Sequence, residues 1–168
     1  MIVEDGSVVA DADSYVSVEA ADAYATSRGL AAWLALAVEL KEPALIRATD
    51  HLERKYASRW KGCLVAPATQ PLAWPRKEVP ARAPGVDLAA DAVPTFLKQA
   101  CIELAVRSAS GTDLSPDAGR TVLREKVDVI EVEYSEHGRQ VLEFTTVEHL
   151  VEPYVRPKIA GALKLVRY

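Results

Sequence analysis

Five of the ten prolines fall between residues 62 and 92, at Pro67, Pro71, Pro75, Pro80 and Pro84. Proline fixes φ and withholds a backbone donor, so this stretch is neither a helix interior nor a central strand. A connection of about thirty residues without clear periodicity far exceeds the usual loop of about five, and is either disordered or used for something. The cluster Gln70-Pro71-Leu72-Ala73-Trp74-Pro75-Arg76 argues for order, because a plain linker has little use for tryptophan. Residues 62–92 therefore read as an ordered arm.

Helical periodicity lies on either side. Val16-Ser17-Val18-Glu19 reads as a helix start, with Ser17 capping free amides, Glu19 at the positive end and Val16 stapling onto Ala21; Tyr24 falls on the buried face and Gly29 closes the helix. Trp33, Leu34 and Leu36 form an apolar patch against it. Helix two places Pro43 in its first turn and repeats Leu45, Ala48, Leu52, Tyr56 and Trp60 at three- or four-residue intervals, with Gly62 as its stop. Arg47, Asp50, Glu53, Arg54 and Lys61 make its wet face. Helix three starts near Asp91, with Pro94 in its first turn and Val93, Phe96, Leu97, Ala100, Cys101, Leu104, Ala105 and Ser108 as an apolar seam.

After a polar turn region at 111–119 the period changes. Ile130, Val132 and Tyr134 alternate with Glu131 and Glu133, as in a half-exposed strand, and the phase slips between Val129 and Ile130. Residues 135–138 could turn into a second strand through Leu142 and Phe144. Val147 to Val151 reads as a short helical piece closed by Pro153, and residues 157–168 as an extended tail. The fold class is mainly α: a small helical bundle with a long proline-rich arm between helices two and three and a small β-hairpin near the C-terminus, in one domain over residues 1–168.

A chain of 168 residues can bury roughly two thirds of its unfolded surface without a staple. Cys63 and Cys101 lack CxxC spacing and read as two buried free thiols. The first six residues carry no basic n-region, and no apolar run approaches the ~18 residues of a membrane span, so a soluble cytosolic protein with no membrane partner is expected. The formal net charge of −4 argues against a surface that neutralises phosphate throughout, while leaving room for a local basic patch. Charge is segregated: residues 1–42 hold eight acids against Arg28 and Lys41, whereas residues 43–92 hold eight basic residues against five acids. Head-to-tail contacts between identical subunits could use that asymmetry, although solvated surfaces also produce it.

Catalytic chemistry has little support. His51, His137 and His149 lack partners at metal-ligand spacing, and Asp11-Ala12-Asp13-Ser14 lacks the glycine and glutamate of a calcium loop, so its acids read as helix-flanking. There is no phosphate loop, no nucleophile elbow and no cysteine near a histidine in sequence. The expectation is a protein that is not an enzyme, with no catalytic residue, metal or cofactor. Trp60 beside Lys61, and Trp74 beside Arg76 and Lys77, place aromatic faces next to cations as single-strand binders do; packing against a core or a neighbour is the simpler account.

Taken in order, several segments resemble the head-to-tail adaptor (connector) proteins of long-tailed bacteriophages and related particles, which often carry a label as DnaT-like single-stranded-DNA-binding proteins. The segments are Asp13-Ser14-Tyr15-Val16-Ser17, Ala44-Leu45-Ile46-Arg47-Ala48-Thr49-Asp50, Arg59-Trp60-Lys61-Gly62, the Gln70–Arg76 cluster, Glu103-Leu104-Ala105, Arg124-Glu125-Lys126-Val127 and Ile130-Glu131-Val132-Glu133-Tyr134. Asp13 stands where the family often has asparagine, and Pro43 replaces a more usual helix former. The resemblance implies a virion neck protein, present in the host cytoplasm during assembly. About twelve copies would sit under the portal, extend the DNA channel without sequence-specific binding, and dock a stopper or tail-completion protein. It places assembly contacts at Trp60, Gly62, Trp74, Pro75, Arg76, Ile130, Val132 and Tyr134, and a portal-binding tail at Arg156, Lys158, Lys164 and Arg167. On that reading Trp74→Ala would weaken ring formation more than monomer stability. The alternative is a single-stranded-DNA-binding protein of a DnaT-like replication type.

Overall fold

A computed structural model describes residues 1–116 and 143–157, together with the backbone of 124–127 and 130–133. The chain is mainly helical, with a small antiparallel hairpin, as the periodicities require. α1 spans Val18–Arg28, α2 Ala31–Leu34, α3 Val38–Tyr56, α4 Thr95–Ala109 and α5 Thr145–Val151, followed by a 3-10 turn at Glu152–Tyr154. Short strands β1 (Cys63–Leu64) and β2 (Arg76–Lys77) pair antiparallel, as do β3 (Arg124–Val127) and β4 (Ile130–Glu133).

α1 begins and ends where its residues dictate. Ser17 stays extended and its Oγ accepts the Ala20 amide at 3.2 Å, while Gly29 adopts φ 66° and turns its amide back onto the last carbonyls. Preceding it, Glu4 is fully buried: its carboxylate accepts the amides of Gly6, Val8 and Val9 at 2.8–3.0 Å and shapes the N-terminal loop. Asp13 accepts the Ile2 amide at 2.7 Å, so it ties down the amino-terminal segment instead of merely flanking a helix.

α3 and α4 form the centre. The α3 stripe Leu45, Ala48, Leu52 and Tyr56 and the α4 seam Leu97, Ala100, Cys101, Leu104 and Ala105 are buried against one another. Thr49 Oγ1 and Cys101 Sγ meet at 3.4 Å within the contact, so Cys101 is buried as expected, whereas Cys63, on a two-residue strand, is exposed. Each fully buried leucine contributes about 1.5–3 kcal/mol of transfer free energy.

Helix two of the sequence reading corresponds to α3, and both of its ends require correction. It begins at Val38, so Pro43 lies inside it. The extra residues are held by tertiary contacts: buried Lys41 pairs with Asp22 of α1 at 3.0 Å, and Trp33 Nε1 donates to the same carboxylate at 2.7 Å. The helix ends at Tyr56, before Trp60, and Gly62 is needed for a different reason. At φ 70° its missing Cβ would lie 2.3 Å from the Lys77 carbonyl oxygen, so only glycine lets the two segments pass.

In the hairpin Ile130–Glu133 pairs with the preceding Arg124–Val127, in the register Val127↔Ile130, and the segment 134–142 read as a turn and second strand lies outside the described residues. Phe144 is a buried residue at the start of α5. Tyr134 and residues 158–168, which include Lys158, Lys164 and Arg167, lie outside the described residues.

Candidate nucleic-acid and assembly interface

The aromatic and basic residues of the arm converge on one place in the structure, and that place is interior. β1 and β2 close the loop 65–75 and aim Trp74 between α3 and α4. Its indole meets Trp60 edge to face at 5.6 Å and Phe96 at 5.7 Å, and Phe96 stacks on Tyr154 at 3.8 Å. Trp60, Trp74 and Pro75 are buried. Neither indole offers a face to a base.

Polar contacts fix this arrangement. Tyr15 Oη donates to Glu53 Oε1, Glu53 Oε2 accepts the Ala73 amide at 3.0 Å, and Tyr15 Oη accepts the Trp74 amide at 3.3 Å. Burial pushes the Glu53 carboxyl above its ordinary range, and burial followed by the neighbouring Glu53 charge pushes the Tyr15 hydroxyl well above its own. Glu53 thus leaves the wet face on which its spacing puts it. Gln70 spans the loop, donating to the Leu72 and Pro75 carbonyls at 2.8 Å each.

Two of the cations beside the tryptophans, Arg76 and Lys61, are equally committed, whereas Lys77 is exposed. Arg76 is buried, and its guanidinium donates to the carbonyls of Lys61, Gly62 and Ala73 at 2.8–3.2 Å. Lys61 Nζ donates to Pro153 O at 2.7 Å, and Arg59 donates to Arg156 O at 3.0 and 3.2 Å. Trp60 bridges Val155, which locks the segment after α5 onto the end of α3. The structure therefore brings Trp60, Gly62, Trp74, Pro75 and Arg76 together as an internal brace. As outer faces of an interface, Trp60, Trp74, Pro75 and Arg76 are corrected, because burial within their own chain withholds them from a neighbour; Gly62 is half-buried. Arg156 stays exposed, while the side chains of Ile130 and Val132 fall outside the described residues.

What remains on the surface lies elsewhere. Large apolar side chains stand exposed at Ile2, Leu34, Val38 and Leu40 and at Val65 and Val86. The Met1 ammonium lies 3.8 Å from Glu42, which brings the amino terminus to the first turns of α3. Arg47 and Arg54 of α3 are exposed and form no ion pair among the described residues. Sequence reasoning missed the anchoring of Asp22, Glu4 and Glu53, whose partners lie far along the chain and leave no local signal.

Comparison with known families supplies the decisive observation. A family model described as "Putative DnaT-like ssDNA binding protein" matches residues 1–168. The chain belongs to this family. The description corresponds to the second of the two functions considered from the sequence, single-stranded-DNA binding, and says nothing of a phage adaptor. No curated protein and no solved structure matches the chain. Among the described residues, no helix of this DnaT-like family member is long and apolar enough to cross a membrane.

Proposed function

We propose that this DnaT-like family member is a structural assembly protein, a subunit of an adaptor ring that joins the portal of a tailed-phage or phage-like head to stopper or tail proteins. The supporting observation is the exposure of large apolar side chains around the start of α3, at Leu34, Val38 and Leu40, with Val38 and Leu40 exposed to 52% and 58%. This corner belongs to the acidic segment 1–42, whereas exposed Val65 and Val86 belong to the basic segment 43–92. Exposed apolar residues carried on two segments of opposite charge balance suit a heterologous contact, which closes into a ring when the rotation between copies permits. The resemblance to adaptors supplies the partners, and the basic tail at Arg156, Lys158, Lys164 and Arg167 would grip the portal. Deleting residues 157–168 tests the tail: portal binding should vanish while the thermal transition of the subunit stays, and unchanged portal binding would refute its role.

A second reading, single-stranded-DNA binding, is favoured by the family description. On this reading affinity comes from phosphate contacts, since Trp60 and Trp74 are enclosed. Titration of an oligonucleotide at low and moderate salt separates the two functions. A binder that contacts several phosphates loses affinity steeply as salt rises, whereas an adaptor binds weakly at both.

A further inference from the structure

A cleft of about 220 Å³ opens where α3 meets the loop after α4, lined by Arg47, Arg54, Ser108, Thr112, Asp113 and Ser115. Arg47 and Arg54 are seven residues apart, two helical turns, and so share one face of α3. Arg47 Nε donates to Ser108 Oγ at 2.8 Å, which fixes the stem of the guanidinium and leaves its two terminal nitrogens for another acceptor. Asp113 is the one carboxylate in this lining, and its Oδ1 is committed to the Ser115 amide at 2.9 Å. Ser115 Oγ is held 3.3 Å from His51 Nδ1, which fixes that wall. Burial, followed by the charges of Lys55 and Arg54, lowers the His51 pKa to about 4, so the imidazole adds no charge at neutral pH.

We infer that this cleft binds a phosphate group, offering two guanidinium forks and hydroxyl donors to a tetrahedral dianion or to a phosphodiester. Planar guanidinium forks match phosphate oxygens, and hydroxyls complete the remaining directions. A compact anion fills part of the volume, and a phosphodiester could extend through the open side. The inference is independent of the ring, because Arg47 and Arg54 lie apart from the corner at Val38 and Leu40 in sequence and the site could serve free phosphate or a nucleic-acid backbone alike.

The test uses the full chain and two probes, inorganic phosphate followed by amide chemical shifts and a labelled oligothymidylate followed by anisotropy. Wild type is compared with Arg47→Gln, Arg54→Gln and the control pair Lys77→Gln/Arg82→Gln, with a thermal melt for each. Saturable binding of at least one probe is expected, with shifts at residues 111–115. Either cleft substitution should weaken it about tenfold and the control by no more than about twofold. Response to inorganic phosphate alone would identify a free-anion site, and response to both probes a backbone site. Absence of saturable binding, or equal losses in cleft and control variants that melt like wild type, would overturn the inference.

Discussion

The indole rings of Trp60 and Trp74 meet edge to face, 5.6 Å apart at 81°, although thirteen residues of chain, two of them proline, separate them. Through this contact the arm becomes part of the core. The edge of one ring is directed at the face of the other, the arrangement preferred by aromatic quadrupoles. Trp74 is the inner end of a layer that continues through Phe96 to Tyr154, so it joins the arm, α4 and the segment after α5.

Trp74→Ala should therefore destabilise the subunit itself, by about 3–5 kcal/mol, because a large cavity opens in the middle of this layer. Urea unfolding of the isolated protein checks this. The sequence-based expectation, a larger effect on ring formation than on the monomer, is reversed by the full burial of Trp74. An unfolding midpoint equal to that of wild type would contradict the structural account.

Arg76→Lys should not be conservative. The fork of Arg76 serves the carbonyls of Lys61, Gly62 and Ala73 in different directions, and a single ammonium cannot reach them all. Leaving buried carbonyls unpaired costs about 1–3 kcal/mol. Amide exchange should rise around residues 61–64 and 73–77, where β1 and β2 are pinned, before it rises in α4. Uniform acceleration across the chain would show that Arg76 has no local role.

Much of the framework could be read from local signals. Ser17 and Gly29 bound α1 as expected, and the stripes of α3 and α4 are buried as their spacing requires. The misread features depend on long-range partners. Val38–Glu42 is helical because Lys41 finds Asp22, and the arm is internal because Glu53 and Tyr15 accept or donate across 20 to 59 residues of sequence. The hairpin itself is local, Arg124–Val127 pairing with Ile130–Glu133, and only its first strand went unmarked because its alternation is weak. For the candidate sites, sequence left the tryptophan–cation pairs between a binding surface and packing, because such pairs look alike whether the cation faces solvent or a carbonyl; packing, the simpler account, is what the burial of Trp60, Trp74 and Arg76 shows. Arg47 and Arg54 became notable only when Ser108 and the loop 111–115 were brought beside them.

Acidification should destabilise the protein through His51. Its folded pKa, about 4, lies below the ordinary 6.5, so the unfolded chain takes up the proton first. The contribution of neutral His51 is complete above pH 6.5 and is lost progressively as pH falls towards about 4. Glu53 acts in the opposite sense, because a raised carboxyl pKa favours the folded state as pH falls towards 4.5. The two separate in a difference curve of melting temperature against pH: wild type minus His51→Gln should slope downward on acidification between 6.5 and 4. A flat difference would show that His51 does not titrate differently in the two states.

Ring formation through the exposed corner is the central claim, and negative-stain imaging of the protein co-expressed with the portal of its own genome tests it most directly. Wild type should give portal-bound rings of uniform diameter. Val38→Asp/Leu40→Asp, whose altered side chains are exposed, should give none while melting within a few degrees of wild type. Rings that survive the double substitution would contradict the proposed contact surface, and irregular complexes formed only with single-stranded DNA would contradict the adaptor role.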